Sequence, residues 1–590
     1  MKKNDIYEIE ITDIGNDGEG IGHIATDDGG SMAVFVKDTV FGDVAKVRLV
    51  KLKKSYAYGR LEEIVSPSPY RVTPSCAKAR QCGGCALMHM SYERQLEYKR
   101  DKVKNCLVRI GGIKNADELI ESVSGMETPY HYRNKMQFPV GLSKDGNIEI
   151  GFYAGRTHTI IDLETCQIGH PVNDYLIKYL RIFLDKHQKQ TGRFIYNEET
   201  HQGLVRHILT RVGFSTGELM VCLVINGSRK ALGGAAVEDE LRQCIENAVA
   251  EYNKAHADSH TNAYDMQAKT QVIKLTSLSV NINRDKTNKI LGDKCETLYG
   301  ESYITDYIGD IKFNISPLSF YQVNPAQTKV LYDKAVSYAE LTGNEVVWDM
   351  YCGIGTISLC LAKHASKVYG VEIVPQAIED AKENAKINGI DNVTFFCGKA
   401  EEVVPSFYEG ELTGNTEDGC HPDVVVVDPP RKGCDSVLLD TIVKMNPARI
   451  VYVSCDPATL ARDVKILGES GYEVKKVGVV DQFGHSKHVE TVVKLSLKTD
   501  TPRFEVIMEP GEEHYYLPKE KGTYQKIKEY VKNKYGVNVH TSYIAQVKRM
   551  CGLEMGENYN KSKKENPEVA QCPPEKVEYI KDALAHFKLI

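Results

Sequence analysis

The feature that most limits the possible folds is a glycine turn at residues 346–356, Val-Val-Trp-Asp-Met-Tyr-Cys-Gly-Ile-Gly-Thr. An apolar run ends in Asp349, the glycines Gly353 and Gly355 follow, and a helical pattern begins directly after them. A parallel strand presents a cofactor to a helix N-terminus in this way, because glycines let the backbone approach the ligand closely. A second apolar run ends near Glu372, close to the offset of about 20 residues expected for a ribose-binding carboxylate. The pattern therefore predicts a nucleoside cofactor rather than an ordinary tight turn.

The length of the chain, 590 residues, predicts several domains. No uncharged apolar segment is long enough to cross a bilayer and the N-terminus has no apolar signal core, so we expect a cytoplasmic protein without a membrane partner. Sixteen cysteines in so long a chain do not form a disulfide scaffold, and we expect buried thiols, ligands or nucleophiles. The net charge of −6 excludes a uniformly basic surface, so any binding of nucleic acid must use local patches.

Residues 5–65 alternate apolar and polar side chains at the strand period, with glycine breaks, which predicts a small five-stranded barrel of oligonucleotide-binding type. Its later part, 46–60, carries six cations and no acid, with Tyr56 and Tyr58 among them. Cations contact phosphates and aromatic rings stack on bases, as a surface for single-stranded RNA requires. The alternative is a solvated strand face with two packed tyrosines. The location on a barrel favours RNA.

Three cysteines, Cys76, Cys82 and Cys85, follow at the spacing C-x5-C-x2-C around a Gly-Gly pair. Glycine allows the tight backbone path that a small metal centre requires. No histidine lies within the usual zinc spacing, so a fourth ligand must come from elsewhere, and Cys166 is the best candidate. Four thiolates suit either zinc or an iron–sulfur cluster. The alternative, buried thiols without a ligand, does not explain the glycine loop.

After an amphipathic helix at 91–110, the pattern from 130 to 300 is strand-rich, with helical stretches at 172–190 and 237–255. This pattern predicts a substrate-handling domain with a small sheet. Residues 251–270 are polar, and we expect a loose loop there.

A helical pattern at 325–339 leads into the glycine turn, after which strands and helices alternate. A polar loop is expected between the strands at 393–397 and 424–427, and two consecutive strands, 472–480 and 489–497, end the pattern. This order specifies a doubly wound sheet with an antiparallel edge. Hydride-transfer domains rarely end that way, whereas methyltransferases that use S-adenosylmethionine do.

Two of the predicted strand ends carry reactive groups. Asp428 precedes two prolines, which form a stiff lip that could hold a planar base. Cys455 lies between a strand and a helix, where a helix N-terminus lowers the pKa of a thiol and favours the nucleophilic thiolate. Its alternative role is a small buried filler. Glu490 begins the final strand and could accept a proton, its alternative being a solvated carboxylate at a strand edge.

A thiol, a base-holding acid, a proton acceptor and a sulfonium cofactor fit one reaction, the methylation of pyrimidine carbon 5. Cys455 would add to carbon 6, and the resulting enolate would attack the methyl group. Glu490 would then remove the carbon-5 proton, and elimination would release the thiol.

Four motifs, Asp-x-Tyr-Cys-Gly-x-Gly-Thr, Asp-Pro-Pro-Arg-x-Gly, Ser-Cys-Asp-Pro and His-Val-Glu, resemble in this order those of the RNA (uracil-5-)-methyltransferases. The resemblance runs from the barrel, which is similar to their TRAM domain, to about residue 497. It implies that Cys455 is the nucleophile, Glu490 the base and S-adenosylmethionine the cofactor. The implied cofactor-binding positions are Gln322, Tyr351, Glu372 and Asp428, beside Asp349, Gly353 and Gly355 of the turn.

The same resemblance implies that the four cysteines hold a [4Fe–4S] cluster, because Cys76, Cys82, Cys85 and Cys166 match its ligands in the ribosomal RNA branch. The barrel and the cysteine loop point to that branch, so the expected partner is RNA, and 23S ribosomal RNA first. The chain departs from the family at Gly484, where proline is frequent, and at Lys399 or Ala400, where an acid or amide is expected to face adenine.

The expected architecture is therefore α/β: a doubly wound S-adenosylmethionine-dependent methyltransferase sheet with an N-terminal barrel, a central α+β domain and a C-terminal helical extension. The expected boundaries are 1–66 for the barrel, 67–310 for the central domain with the cysteine loop, 311–500 for the catalytic domain and 501–590 for the extension. In the extension, helices at 523–534 and 542–550 form either a helix-turn-helix or a small appended domain, and 554–575 is expected as a loop. We expect a monomer.

Other interpretations remain at this point. A transfer RNA uracil-5 methyltransferase resembles only the later domains. A DNA cytosine methyltransferase uses a similar thiol, but places it earlier in the fold and does not explain the barrel. A non-catalytic RNA-binding protein with a redox-sensing cluster would bind RNA without turnover.

Overall fold

The structure, a computed structural model, describes residues 1–26, 29–155, 157–257, 272–408, 421–498, 524–551 and 572–587. The chain divides into two units, Met1–Thr501 and Pro502–Ile590. Within the residues described, no helix combines the length and the apolarity that crossing a membrane requires.

The first unit begins with a closed five-stranded barrel of order β1-β2-β3-β5-β4. Alternate side chains of its strands point inward and form an apolar core that includes Ile11, Val34 and Val47. Gly59 lies so close to this core that a Cβ there would come within 2.1 Å of a side-chain carbon of Val47. The strands are β1 (Ile6–Ile14), β2 (Gly20–Ala25), β3 (Ser31–Val36), β4 (Val44–Leu52) and β5 (Tyr56–Ser66).

The cysteine loop follows the barrel and leads into α1 (Tyr92–Arg109) and the short α2 (Ala116–Leu119). The helix α1 is amphipathic, with Val103 and Leu107 buried in the core of the catalytic sheet. Its buried face also contains Gln95 and Lys99, two polar residues that require partners there.

The central domain contains a seven-stranded sheet of order β12-β11-β10-β9-β6-β7-β8. Two helices, α3 (Val172–Thr191) and α4 (Ala235–His256), cover one face with apolar side chains, and a 3₁₀ turn spans Arg229–Leu232. The strands are β6 (Lys135–Leu142), β7 (Ile148–Tyr153), β8 (Ile160–Asp162), β9 (Val205–Val212), β10 (Glu218–Ile225), β11 (Lys274–Ile282) and β12 (Lys294–Gly300).

A hairpin of β13 (Ile304–Ile308) and β14 (Ile311–Ile315) and the helix α5 (Pro325–Ala339) precede the catalytic sheet. The Asn324 side chain caps α5 by accepting from the Gln327 amide at 3.2 Å, and Pro325 occupies the first helical position.

The catalytic sheet has seven strands in the order β17-β16-β15-β18-β19-β21-β20, of which β21 runs antiparallel to both neighbours. The central strand β18 consists of four fully buried valines, as expected for a strand covered on both faces. Strands and helices alternate as β15 (Val346–Asp349), α6 (Thr356–Ala362), β16 (Lys367–Glu372), α7 (Pro375–Ile387), β17 (Val393–Cys397), α8 (Ala400–Tyr408), β18 (Val424–Val427), α9 (Ser436–Met445), β19 (Arg449–Ser454), α10 (Pro457–Glu469), β20 (Tyr472–Val480) and β21 (Glu490–Leu497).

The second unit contains α11 (Tyr524–Tyr535), α12 (Thr541–Met550) and α13 (Pro574–His586). The three helices share one apolar core, with Val531, Ile544 and Ile580 fully buried.

Two expectations for secondary structure are wrong. The helix α8 occupies the first part of the expected polar loop, because Val403, Val404 and Phe407 pack into the apolar core, and residues 409–420 of that loop lie outside the described part of the chain. The helix α4 extends to His256, into the expected loose loop, whose residues 258–270 are not among those described.

The loop expected at 554–575 is not tested up to residue 571, because those residues lie outside the described part of the chain. The helix α13 begins at its end, at Pro574.

Candidate active site

The ends of five neighbouring strands bring the predicted site residues into one row. In sheet order, β16 ends in Glu372, β15 ends in Asp349, β18 is followed by Asp428 and β19 by Cys455. The next strand, β21, is antiparallel and begins with Glu490 at the same edge. The chain reverses its winding between β15 and β18, which is the point where open α/β sheets bind their ligands.

Cys455 occupies the connection between β19 and α10 and is partly buried. Burial raises the pKa of its thiol to about 11, with further contributions from the charges of Glu490 and Asp428, whereas Arg431 lowers it. The expectation of a lowered pKa is therefore wrong for the protein alone. The Asp456 carboxylate already accepts hydrogen bonds from the first amides of α10, at 2.9 Å from Ala458 and 3.2 Å from Thr459, and so takes the donors that would stabilise a thiolate.

Glu490 is buried, with 3% of its surface exposed, and pairs with Val480 across the β20–β21 hairpin. It is not the solvated edge carboxylate of the alternative interpretation, because β21 lies inside the sheet. Burial raises the pKa of Glu490 well above its usual value, the charge of Asp428 raises it further, and Arg431 lowers it. The strands β18, β19 and β21 are neighbours in the sheet, so Asp428, Cys455 and Glu490 lie at one edge, where their charges influence one another.

Asp428 and Asp349 are the two acids at the centre of the row. Burial raises the pKa of Asp428 to about 7, and the charge of Asp349 adds to the effect. Burial raises the pKa of Asp349 to about 6, although its carboxylate accepts hydrogen bonds from the Ser358 hydroxyl at 2.6 Å and the Tyr351 amide at 3.3 Å. Because burial disfavours their charged forms, both carboxyl groups are more stable beside uncharged or cationic groups than beside other anions.

The glycine turn has the geometry that a cofactor site requires. Gly353 and Gly355 have φ values of +55° and +84°, which side-chain-bearing residues rarely adopt. A Cβ on Gly353 would meet no atom within 4 Å, so the space in front of the turn is open, whereas a Cβ on Gly355 would lie 3.1 Å from the Phe395 ring. The Glu372 carboxylate accepts from the Gly353 amide at 3.3 Å and therefore lies at the mouth of the turn.

The two remaining predicted cofactor residues lie at the borders of this site. Tyr351 follows Asp349 in the turn, packs against the core and has a pKa raised by burial. Gln322 is buried before α5, and its backbone carbonyl accepts from the Asn134 side chain of the central domain at 3.0 Å. Arg431, to which the sequence patterns assigned no role, is a cation whose charge lowers the pKa of both Cys455 and Glu490. The sequence feature that could have identified Arg431 was its position in the Asp-Pro-Pro-Arg motif.

The segment that enters Glu490 contains the departure from the family at Gly484. A Cβ at this position would lie 2.6 Å from the Met126 side chain and 3.1 Å from Pro129. Close packing against residues 126–129 therefore favours glycine here.

The four cysteines of the predicted cluster line a single cavity of about 590 Å³. Burial and the nearby thiols raise the pKa values of Cys82 and Cys85, and burial raises that of Cys166 to about 11. In their thiolate forms these cysteines would repel one another, and thiolates are soft metal ligands. The set is therefore suited to a metal centre. Within the described residues, however, no group of three or more acidic, histidine or cysteine side chains is already drawn together for a metal ion.

The predicted RNA surface of the barrel is only partly free. Lys46 pairs with Glu63 at 2.9 Å, and Arg48 and Arg60 pair with Glu62 at 2.9 and 2.8 Å. Three further lysines of this region remain exposed: Lys51, Lys53 and Lys54. Tyr56 and Tyr58 pack with Phe35 in one aromatic cluster, at ring separations of 5.6 and 5.8 Å.

The sheet order, the glycine turn and the row of strand-end acids define an S-adenosylmethionine-dependent methyltransferase. Residues 249–498 match the sequence model of the tRNA (Uracil-5-)-methyltransferase family, and residues 2–61 match the TRAM domain. A protein named as an RNA methyltransferase from Clostridium tetani is 45% identical over 500 residues, which cover 85% of this chain and 98% of that protein. One from Halalkalibacterium halodurans is 45% identical over 84% of this chain and 98% of its own.

Among solved structures, the chain is similar to the Pyrococcus abyssi tRNA (uracil-54, C5)-methyltransferase in complex with S-adenosyl-L-homocysteine. The TM-score is 0.60 and the identity 27%, over 83% of this chain and 99% of that one. The chain belongs to the RNA (uracil-5-)-methyltransferase family and is a methyltransferase of RNA. The predicted fold class is thereby confirmed.

Proposed function

We propose that this enzyme methylates carbon 5 of a uracil in RNA, with Cys455 as nucleophile and Glu490 as base. The observation that carries the proposal is geometric. Cys455 and Glu490 lie at the same edge of the sheet, at the adjacent ends of the paired strands β19 and β21, and Asp428 follows the neighbouring strand β18. A thiol next to a buried carboxyl supplies the two groups that the reaction requires: one to add to the ring and one to remove a proton.

The residues act in a fixed order. The Cys455 thiolate bonds to carbon 6 of the uracil, and the electron pair of the carbon 5–carbon 6 double bond moves into an enolate. When bound, S-adenosylmethionine supplies the electrophilic methyl group that carbon 5 accepts. Glu490 then takes the proton from carbon 5, the double bond re-forms, and the bond between Cys455 and carbon 6 breaks to release the thiolate.

Both protein groups must be anionic for these steps, although burial raises both pKa values. The charge of Arg431 lowers both of them. We propose that Arg431 increases the populations of the Cys455 thiolate and the Glu490 carboxylate. The residues proposed to hold the cofactor are those of the row and its borders: Gln322, Asp349, Tyr351, Gly353, Gly355, Glu372 and Asp428.

Ribosomal RNA, and 23S RNA first, is the proposed substrate, because the chain combines a TRAM barrel with a cysteine cavity. Transfer RNA is the second candidate, because the Pyrococcus abyssi relative is a tRNA (uracil-54, C5)-methyltransferase. Mapping of 5-methyluridine in both RNA classes from cells with and without the gene separates the two. Loss of the modification from 23S RNA alone supports the first candidate, and loss from transfer RNA alone supports the second.

We propose that Cys76, Cys82, Cys85 and Cys166 hold a [4Fe–4S] cluster. The support is the single cavity that three thiols of the cysteine loop share with Cys166, which lies about 80 residues further along the chain. About four iron and four sulfide per chain in anaerobically purified protein is the expected result. Stoichiometric zinc without sulfide would contradict it.

The functional proposal is tested by methyl transfer to total RNA from cells that lack the gene. The wild-type enzyme should incorporate labelled methyl groups, whereas Cys455→Ala should bind the RNA and incorporate none. Unchanged incorporation by this variant would contradict the assigned nucleophile.

A further inference from the structure

The segment 481–489, which we call the base loop, connects β20 to β21 and enters Glu490. Val480 and Glu490 are paired partners in the sheet, so the two ends of the loop lie side by side. Any group that fixes the start of the base loop therefore also limits where Glu490 can lie.

The base loop rests on the segment that contains the cysteine loop and α1. Donors from that segment reach two of its backbone carbonyls: the Leu87 amide donates to His485 at 2.8 Å and the Lys102 ammonium to Lys487 at 3.0 Å. Tyr132, slightly further along the chain, donates its hydroxyl to the Gly484 carbonyl at 3.0 Å.

One residue of the base loop has a conformation that requires such support. His485 has a φ of +63°, in the left-handed region that residues other than glycine rarely adopt. Its amide donates to the Gln95 side chain at 3.1 Å. A backbone in this region persists where the surrounding contacts fix it, as they do here.

A buried ion pair lies at the start of the base loop. Lys99 of α1 donates to the Asp481 carboxylate, and neither side chain has any exposed surface. The Lys99 ammonium also donates to the Phe483 carbonyl at 3.0 Å. Tyr92 donates to the second oxygen of Asp481 at 2.7 Å and accepts from the Met126 amide at 2.7 Å.

A buried ion pair contributes little net stability, because the desolvation of both charges offsets their attraction. Its hydrogen bonds are directional, however, and fix the position of Asp481 relative to Lys99, which lies 382 positions away in the sequence. Stability alone therefore does not account for this pair, whereas the positioning of a reactive loop does.

We propose that Lys99, through Asp481, is a positioning residue for Glu490 and thereby controls the removal of the carbon-5 proton. The inference rests on the proposed function of Glu490. Lys99 itself touches neither the RNA nor the cofactor in this account.

The reaction sequence provides a measurement that would not change if Lys99 had a purely structural role. If proton removal is slowed, the methylated uracil remains bonded to Cys455, and a covalent RNA–protein species accumulates. Glu490→Gln is expected to accumulate this species, because the amide cannot accept the proton. Lys99→Met, which matches the side chain in length but removes the charge, is expected to accumulate it as well.

The experiment uses the full-length enzyme, S-adenosylmethionine and total RNA from cells that lack the gene, with covalent complexes resolved on denaturing gels. For Lys99→Met, we expect adduct formation close to the wild-type rate and release slowed by about tenfold or more, since small misplacements of a catalytic group can cost about 10²-fold. Lys104→Met is the matched control, because Lys104 lies on the same helix but pairs with Asp117 at the surface. It should release RNA at the wild-type rate.

The double variant Lys99→Met, Asp481→Asn separates positioning from folding, because it leaves no unpaired buried charge. We expect its melting temperature to return towards that of the wild type while the adduct still accumulates. Wild-type release by the double variant, or an equal loss of adduct formation and release in Lys99→Met, would overturn the proposal. A failure of Glu490→Gln to form any adduct would instead contradict the proposed function.

Discussion

Two regions of the molecule contain partly buried thiols, and they differ in their neighbours. Cys455 at the sheet edge and Cys166 in the cysteine cavity both have a pKa raised to about 11, mainly by burial. Around Cys455 the other groups include the carboxyls of Glu490, Asp428 and Asp456 and the cation Arg431. Around Cys166 they include another thiol, Cys82.

This difference shows that the pKa alone does not assign a role to a thiol. A single thiol beside a proton acceptor is suited to form and release one covalent bond. Four thiols on one cavity are suited to share a metal centre, which neutralises the charges that they otherwise cannot carry together. The comparison therefore predicts different consequences when a cysteine is removed from each region.

The largest effect is expected for Cys455→Ala, which removes the nucleophile. Methyl transfer should fall by about 10⁴-fold or more, as is typical when a group essential to covalent catalysis is deleted. RNA binding should remain within a few-fold of the wild type. Cys397→Ala, which changes an exposed cysteine in the same sheet, is the control and should keep full activity.

The pH dependence should also be large. The Cys455 thiol has a pKa near 11, so the fraction of thiolate should rise about tenfold per pH unit below that value. The rate of adduct formation in a single turnover should therefore increase steadily from pH 6 to pH 9. A rate that is independent of pH over this range would show that a different group, or a pre-formed thiolate, starts the reaction.

A smaller effect is expected for Arg431→Met. This change removes the cation that lowers the pKa of both Cys455 and Glu490, so fewer molecules carry the two required anions at neutral pH. Turnover at neutral pH should fall by about tenfold, because both required anions become less populated. Raising the pH should recover part of the loss, which can be measured from the pH profiles of both proteins. An identical profile would exclude an electrostatic role.

The smallest effect on chemistry is expected for Cys85→Ser in the cysteine cavity. The bound iron should be lost, while methyl transfer falls only a few-fold through looser packing of the segment that supports the base loop. Iron content and turnover measured on the same preparation provide the check. A loss of adduct formation as complete as that of Cys455→Ala would remove the distinction between the two regions.

Local sequence patterns predicted the barrel, the winding of the catalytic sheet and the row of residues at its edge. The four valines of β18 and the capped start of α5 are signals that need no tertiary information. The helix α8 was missed because it contains Pro405, a residue that usually ends a helix. The expected low pKa of Cys455 was wrong because Asp456 caps the helix and because burial depends on the whole fold.

The contact between Lys99 and Asp481 could not be predicted from the sequence. The two residues are far apart along the chain and belong to segments whose local patterns indicate only a charged helix and a loop. Their complete burial is a property of the assembled structure. Long-range polar contacts of this kind carry no periodic signal, whereas apolar spacing does.

The central claim is that Cys455 forms a covalent bond to the RNA base. Removal of the carbon-5 proton by Glu490 then leads to cleavage of that bond. Glu490→Gln should be incubated with S-adenosylmethionine and total RNA from cells that lack the gene, digested with nuclease and protease, and analysed by mass spectrometry. The account predicts a methylated uridine nucleotide attached to the peptide that contains Cys455. The same nucleotide on another cysteine, or none at all while free methylated RNA is produced at the wild-type rate, would contradict it.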